Sequence, residues 1–407
     1  MSALKFPRLT LWRVIVSLIF AAGLYAAYLR FFHGFVASTN LSDTVPWGLW
    51  VGLGTLCGVG LSAGGFSIAA AVYLLGMERY RPVARVAVLI AWLGYLSVVV
   101  GMMYELGLPW RIWHPIVMWN RHSVMFEVAW CVMLYTTVLT LEFLPALIER
   151  IPRPHLREIF SRWHHRILTA LVLVGVLLSS LHQSFLGGLY LIMKGKLYPL
   201  WYTTELPPLF YLSAIPAGLA VIIMALYLSM RSLQVRLDTR ILQELGRVMG
   251  LLLAVYGVFR GVDLIRSGNA HYLWQPRAET GWFWLEITLL VLLPVILLLS
   301  PRVRENPLKL YATSALVVMG FMANRINVAV TGLQASSGVY YFPRWSEFAL
   351  SFAVIAAAIV AFRFAVLHLN IVPRETGGIG AVPASEPSAM LFPQLRPGPL
   401  PSASRVS

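Results

Sequence analysis

The chain is a succession of long apolar runs separated by short polar breaks. A helix crosses the hydrocarbon core with roughly 18 or more apolar residues. Ten runs satisfy this, at residues 11–30, 47–75, 84–104, 123–146, 166–188, 209–230, 248–265, 282–300, 310–330 and 346–368. The pattern predicts an all-α, polytopic integral membrane protein. The seventh run is the weakest, because Arg260 and Asp263 sit near its end. The first is longer than a signal-peptide core and lacks a cleavage site, so it is expected to stay as a span. Beyond Pro373 the composition turns to Pro, Ser, Gly and Ala, which bury too little apolar surface to fold alone. The expected organisation is a transmembrane domain over 1–372 and a disordered tail over 373–407.

Composition reinforces this reading: 58% of the 407 residues are hydrophobic and the mean hydropathy is +0.73, against an apolar share of about 45–50% in soluble domains. The formal charge of +15 does not indicate nucleic acid, since the basic residues are dispersed in short loops rather than gathered on one soluble surface. Their distribution instead sets orientation. The N-terminus, the even-numbered loops and the tail hold 21 Lys and Arg, the odd-numbered loops hold 8, and Arg260, Arg325 and Arg363 fall within runs. The positive-inside rule then places both termini in the cytoplasm, with the arginines from Arg150 to Arg166 as the strongest determinant. The expected location is a bacterial cytoplasmic membrane, surrounded by lipid, with residues 105–122, 194–208, 268–281 and 334–347 on the outer face.

Redox chemistry is constrained by what the chain lacks. Cys57 and Cys131 both lie inside apolar runs without a CxxC pair, so no Cys-ligated iron–sulfur cluster, zinc site or disulfide framework is expected. A membrane b-haem needs axial histidines on facing helices, yet only His182 and His368 are placed in runs. No haem is expected.

Ionisable groups within spans cost about 2.5–3.5 kcal/mol each on insertion scales and are functional candidates. In the fourth run Ser123 and Glu127 share a face and Glu142 follows about four turns on, roughly 22 Å away. The two carboxyls mark the mouths of a proton path, or each bonds to a neighbouring helix. Arg260 and Asp263, three apart, suit an ion pair better than a relay. Glu286 and Arg325 are candidates for pairing across the second half. His182-Gln183-Ser184 reads as a polar site or as helix–helix hydrogen bonding. Gly58, Gly60, Gly64 and Gly65 allow close packing or room for a flat ligand.

The densest polar and aromatic stretch is Tyr104 to Glu127, which carries Glu105, Arg111, His114, Arg121, His122 and Glu127 among Trp110, Trp113 and Trp119. The tryptophans alone suit an interfacial belt. A quinone headgroup needs donors to its carbonyl oxygens, a proton source and a flat apolar wall, and His, Arg, Glu and Trp together supply them.

These residues resemble a known family. Glu105-Leu106-Gly107-Leu108-Pro109-Trp110-Arg111-Ile112-Trp113-His114, followed by Ser123 to Glu127, is similar to the D-L-G-R-P-x-R-F-W-H element of the NrfD/polysulfide-reductase membrane subunits. Glu105 replaces Asp and Leu108 replaces Arg. Further similarity to the HybB-type membrane subunits of nickel-iron hydrogenases runs through Pro46 to Trp50, Ala63 to Gly65, Leu141 to Leu147, His182 to Ser184, Pro199 to Trp201, Glu205 to Phe210, Phe283 to Glu286, Tyr341 to Pro343, Trp345 and Glu347. The resemblance implies paired helical bundles and a haem-free quinone-reactive subunit, with the quinone site mainly within 47–146. Menaquinone or ubiquinone would be the substrate, contacted by Glu105, Arg111, Trp113 and His114, with protons moving by Glu127, Glu142, His182, Arg260 and Asp263. The implied partners are a ferredoxin-like iron–sulfur subunit and the large and small nickel-iron hydrogenase subunits on the periplasmic face. A subunit of a polysulfide, nitrite or molybdopterin reductase is the alternative, and a secondary transporter a more distant one, since no internal repeat is evident.

Overall fold

The computed structural model describes residues 10–150, 152, 154–233, 238–369 and 371. The expected tail over 373–407 and Arg153 lie outside the described residues. Among the described residues ten helices are long and apolar enough to cross a membrane: α1 Leu11–Ser38, α2 Trp50–Tyr73, α3 Glu78–Glu105, α4 Val124–Ile148, α5 Arg166–Met193, α6 Leu206–Ser232, α7 Thr239–Arg266, α8 Ala278–Leu299, α9 Pro307–Ser337 and α10 Trp345–His368. The protein is a polytopic all-α membrane protein, as the hydrophobic pattern predicts.

Several helices exceed their apolar runs, because polar residues at the ends keep helical geometry. α1 continues to Ser38 through a kink at Gly34, whose φ is 83°. Arg30, counted above with the first loop, therefore sits inside α1 and is buried. α7 begins nine residues earlier than its apolar run, at Thr239, capped by the Asp238 carboxylate accepting from Arg240 N at 2.9 Å. Arg260 and Asp263 consequently lie within the membrane span.

α2 to α5 pack together as one bundle and α6 to α9 as a second. The two meet where α2 crosses α6 and α9. A Cβ on Gly218 of α6 would lie 2.0 Å from Gly64 N, and one on Gly60 would lie 2.2 Å from the Phe321 ring of α9. Gly65 likewise lets α2 lie against Ala87 and Ala91 of α3. Gly60, Gly64 and Gly65 thus serve close helix packing, and so does Gly58, where a Cβ would lie 2.7 Å from Val98 Cγ2 of α3. α1 and α10, far apart in sequence, pack along each other, and α10 also packs against α3. Their crossing is tight at Gly23, where a Cβ would be 2.3 Å from Ala353 Cβ.

Three stretches inside the spans are π-helical: Trp50–Cys57, Thr288–Leu292 and Asn327–Thr331. Such wide turns rotate the side chains that follow and concentrate at functional positions.

Candidate functional site

Glu105 is the last residue of α3. Helix termini leave carbonyls without intrahelical donors, and here α1 supplies them: Arg30 Nε donates to Tyr104 O at 2.8 Å and Arg30 Nη2 to Leu106 O at 2.5 Å. The guanidinium lies 3.9 Å from the Phe35 ring centroid. A cation at a helix C-terminus also complements the helix dipole. The backbone on both sides of Glu105 is thereby fixed.

The carboxylate turns toward α2. Thr55, inside the first π-helical stretch, directs its hydroxyl at both oxygens, 3.0 Å from Oε1 and 2.9 Å from Oε2. Gly54 keeps the approach open, since a Cβ there would stand 3.1 Å from Glu105 Oε1. Beside the carboxylate lies a cavity of about 70 Å³ that opens to the outside of the helix array. Trp50, Gly54, Gly58, Ser97 and Tyr104 form its inner side, and Leu350, Ser351, Val354 and Ile355 of α10 its outer side. Gly58 therefore belongs to the cavity as well as to the packing surface. Ile355 is 40% exposed on the outside of the helix array, where hydrocarbon would surround it.

The remaining members of the sequence-derived cluster occupy the loop that follows. After a 3₁₀ turn at Pro109–Arg111 comes a short helix, His114–Val117. The Trp113 and His114 rings meet edge to face at 4.5 Å, and Trp130 of α4 anchors the loop by donating from Nε1 to Pro115 O at 3.0 Å. Arg111 is exposed and Trp113 half-exposed. None of Arg111, Trp113 and His114 is among the residues lining the cavity. The structure thus brings Glu105 together with Thr55, Ser97 and α10, and leaves Arg111, Trp113 and His114 on the adjoining surface loop.

A second polar line runs through the first bundle. On α4, Glu127, Cys131, Tyr135 and Glu142 fall within about 80° of one another around the helix. Glu127 sits in the first turn, next to the Ser123 cap, whereas Tyr135 and Glu142 are buried. Gly175 of α5 faces them: a Cβ there would be 3.5 Å from Glu142 Oε1 and 3.6 Å from Tyr135 Cε2. The Tyr135 hydroxyl lies beside Ser179 without a well-formed bond. Its ring packs edge to face on Tyr95 at 4.6 Å, and the Tyr95 hydroxyl is 2.9 Å from His182 Nδ1. Gln183 donates to Val59 O of α2 at 2.9 Å. His182 Nε2 and Gln183 Oε1 are buried without a protein partner, the condition under which bound water completes a polar chain.

The second bundle holds extended buried networks, with Arg325 Nε left without a hydrogen-bond partner. Arg260 Nη1 donates to Asp263 Oδ2 at 2.9 Å, Thr203 Oγ1 donates to Asp263 Oδ1 at 2.5 Å, and Arg260 Nη2 donates to Leu200 O. This is the ion pair that the three-residue spacing favours. Glu286 and Arg325 do not pair directly. Arg325 Nη1 donates to Asn324 Oδ1 at 2.7 Å, and Asn324 Nδ2 donates to Glu286 Oε1 at 3.0 Å. Trp201 and Asn327 complete the Glu286 shell at 3.1 and 2.7 Å, while Ser213 and Phe210 O accept from Arg325.

A clasp joins α1, α2 and α10 at the end of the molecule nearest Glu105. The buried Glu347 accepts from Asn40 N and Arg344 N, each at 3.0 Å, and from the Tyr341 hydroxyl. That hydroxyl accepts from Leu49 N at 3.0 Å. Burial and the Glu347 carboxylate hold the Tyr341 phenol well above its ordinary range.

Sequence reasoning missed Thr55, Arg30, Tyr95, Tyr135 and Asn324. Arg30 had a usable signal, an arginine at the end of an apolar run. The others are polar groups whose partners lie on helices distant in sequence.

Comparison with known proteins adds a family. The profile for "Polysulphide reductase, NrfD" matches residues 37–337. A protein of Nitratidesulfovibrio vulgaris, described only as "Protein", is 36% identical over 86% of this chain and 92% of its own. The "Probable Ni/Fe-hydrogenase 2 b-type cytochrome subunit" of Escherichia coli is 28% identical over 84% of this chain and 88% of its own. The "Menaquinone reductase, integral membrane subunit" of N. vulgaris is 27% identical over 90% and 92%.

Proposed function

Since the chain belongs to the NrfD polysulphide reductase family, we propose that it is the quinone-reactive membrane subunit of an oxidoreductase complex, passing electrons between an iron–sulfur partner and the quinone pool. The observation that carries this reading is the Glu105 cavity. It combines one carboxyl, three hydroxyl-bearing side chains (Ser97, Tyr104 and Ser351) and apolar walls beside the hydrocarbon. Reduction of a quinone to a quinol takes two electrons and two protons. Electrons come from the partner, whose clusters this chain does not need to hold. Glu105 exchanges a proton with a ring oxygen, and Thr55 holds its carboxylate in place. His114, Arg111 and Trp113 border the route from the loop, where the partner docks and protons enter.

The finer reading is a hydrogenase: periplasmic nickel-iron large and small subunits, a ferredoxin-like subunit, both termini of this chain in the cytoplasm, and no haem. The hydrogenase assignment is supported by the E. coli relative and the orientation by the charge asymmetry of the loops, whereas the haem-free reading rests on the placement of the histidines alone, against the "b-type cytochrome" in that relative's name. A polysulfide or molybdopterin reductase complex is the alternative. Affinity purification from gently solubilised membranes tests the choice. Recovery of a nickel-iron subunit and hydrogen-dependent quinone reduction are expected. A molybdopterin subunit would overturn the hydrogenase reading, and a dithionite-reduced b-haem band would overturn the haem-free one. Loss of quinone reduction on Glu105→Gln or His114→Ala in the assembled complex is expected. Unchanged kcat and KM in both would overturn the quinone site.

The line Glu127, Tyr135, Glu142, Tyr95 and His182 supports a proton path from the Glu105 end of the first bundle toward the other membrane face. Arg260 and Asp263 sit in a saturated pair, which favours a structural role for them.

A further inference from the structure

We infer that the quinone pocket is closed by helices outside the residues that the family profile matches, with α10 forming its lipid-side wall and its tail exit while α1 fixes α10 and Glu105 in register. This rests on the quinone reading of the Glu105 cavity and adds to it which elements shape the ligand. The family match covers residues 37–337, so both α1 and α10 lie essentially beyond it, yet four of the twelve cavity-lining residues come from α10.

The attachment of that wall is specific. Trp50 of α2 and Ser351 of α10 both line the cavity, and both donate to the same acceptor, Glu347 O, at 3.2 and 2.9 Å. One carbonyl therefore ties the inner side to the outer side. The Glu347 side chain holds the clasp described above, so the start of α10 cannot shift relative to Leu49 and Asn40 without breaking it. Farther along, Gly23 of α1 and Ala353 meet backbone to side chain, next to the lining residue Val354. Tyr25 stacks on Trp345 at 5.9 Å, and Ser346 Oγ donates to Ser38 O at 2.5 Å. On the opposite wall Arg30 fixes the carbonyls flanking Glu105. The pair α1/α10 thus holds both sides of the cavity.

The chemistry of the lining sorts along this axis. Glu105 marks the polar end, where a ring oxygen would be protonated. Leu350, Val354 and Ile355 are apolar, and Ile355 reaches the outer surface. A prenylated quinone with its ring at Glu105 sends its tail out between α3 and α10 past Ile355. On the α3 side Gly101 leaves this passage wide, since a Cβ there would meet nothing within 4 Å.

The test is photolabelling of the full-length protein in lipid nanodiscs with an azido-benzoquinone bearing a decyl chain, followed by peptide mapping. Expected are saturable adducts on both the 97–105 and the 350–355 segments, competed by a short-chain naphthoquinone. Val354→Trp from one wall and Gly101→Leu from the other are expected to abolish both adducts, with folding checked by monodispersity and thermal transition. Adducts on 97–105 with none on 350–355, or labelling unaffected by either variant, would overturn the α10 wall and leave the quinone reading standing. Absence of any saturable adduct would overturn both.

Discussion

Thr55 holds both oxygens of Glu105 with a single hydroxyl, at 3.0 and 2.9 Å, from a π-helical turn of the neighbouring helix. A carboxylate confined between helices needs such a donor, because an unsatisfied buried acceptor costs about 1–3 kcal/mol and more when charged. Thr55→Val is expected to lower quinone turnover by about tenfold or more, the equivalent of roughly 1.4 kcal/mol, while Thr55→Ser retains most of it. Steady-state kinetics of the assembled complex with a short-chain quinone checks this. Equal activity in Thr55→Val and the parent would remove Thr55 from the site.

Arg30 makes a different contribution, since its hydrogen bonds go to backbone carbonyls alone. Its fork of donors reaches two carbonyls at once, a geometry that a lysine ammonium does not reproduce. Arg30→Lys is therefore expected to lower kcat with little change in KM, as Glu105 loses its fixed position. Arg30→Leu additionally lowers stability by about 1.5–3 kcal/mol, the usual scale for hydrogen bonds to a charged group. Full kcat in Arg30→Lys would argue that the helix end holds itself.

The proposed proton line along α4 lies apart from the Glu105 cavity. Glu142 lies far from the Glu105 cavity in sequence and shares no lining residue with it. Glu142→Gln and Tyr135→Phe are expected to abolish quinone-linked proton movement in proteoliposomes, read by an internal pH dye, while leaving most of the quinone reduction rate. Undiminished proton movement in both variants would exclude the path.

The clasp makes a prediction about alkaline stability. The Tyr341 phenol is raised above its ordinary value of 10.0 by burial and by Glu347. A raised acid of this kind stabilises the folded state fully below the unfolded value and loses that contribution as pH climbs through the folded one. The thermal transition of the detergent-solubilised protein should therefore fall above about pH 10 more steeply in the parent than in Tyr341→Phe. At neutral pH the variant is expected to be less stable by about 1–3 kcal/mol, because Leu49 N and Glu347 each lose a partner. Parallel pH profiles for the two proteins would contradict this account.

The ten spans were legible because a run of apolar residues specifies a membrane helix almost by itself. Glu105 stood out for the same reason, being a charge at the end of such a run. Close packing at Gly60, Gly64 and Gly65 was one of two readings open at the glycines, and contacts with Phe321, Gly218 and Ala91 decide it. Partnerships were not legible. A helix apolar on all sides carries little information about its rotation, so nothing in the sequence says that Thr55 meets Glu105 or that Asn324 stands between Glu286 and Arg325. The π-helical turn preceding Thr55's neighbours changes that rotation again. Nor does the stretch from Tyr104 to Glu127 reveal that it divides, with Glu105 turned inward beneath Arg30 and His114 left on the loop.

The crossing of Gly23 with Ala353 joins the first membrane helix to the last. A ribosome makes these two elements at opposite ends of its task, so α1 must wait in the bilayer while eight further spans are inserted. The core bundles can assemble before α10 emerges, yet the pocket beside Glu105 acquires its outer wall only when the final span arrives. The pocket is then complete only once α10 is inserted, and a chain cut short before Trp345 would fold most of its core around a cavity open to lipid.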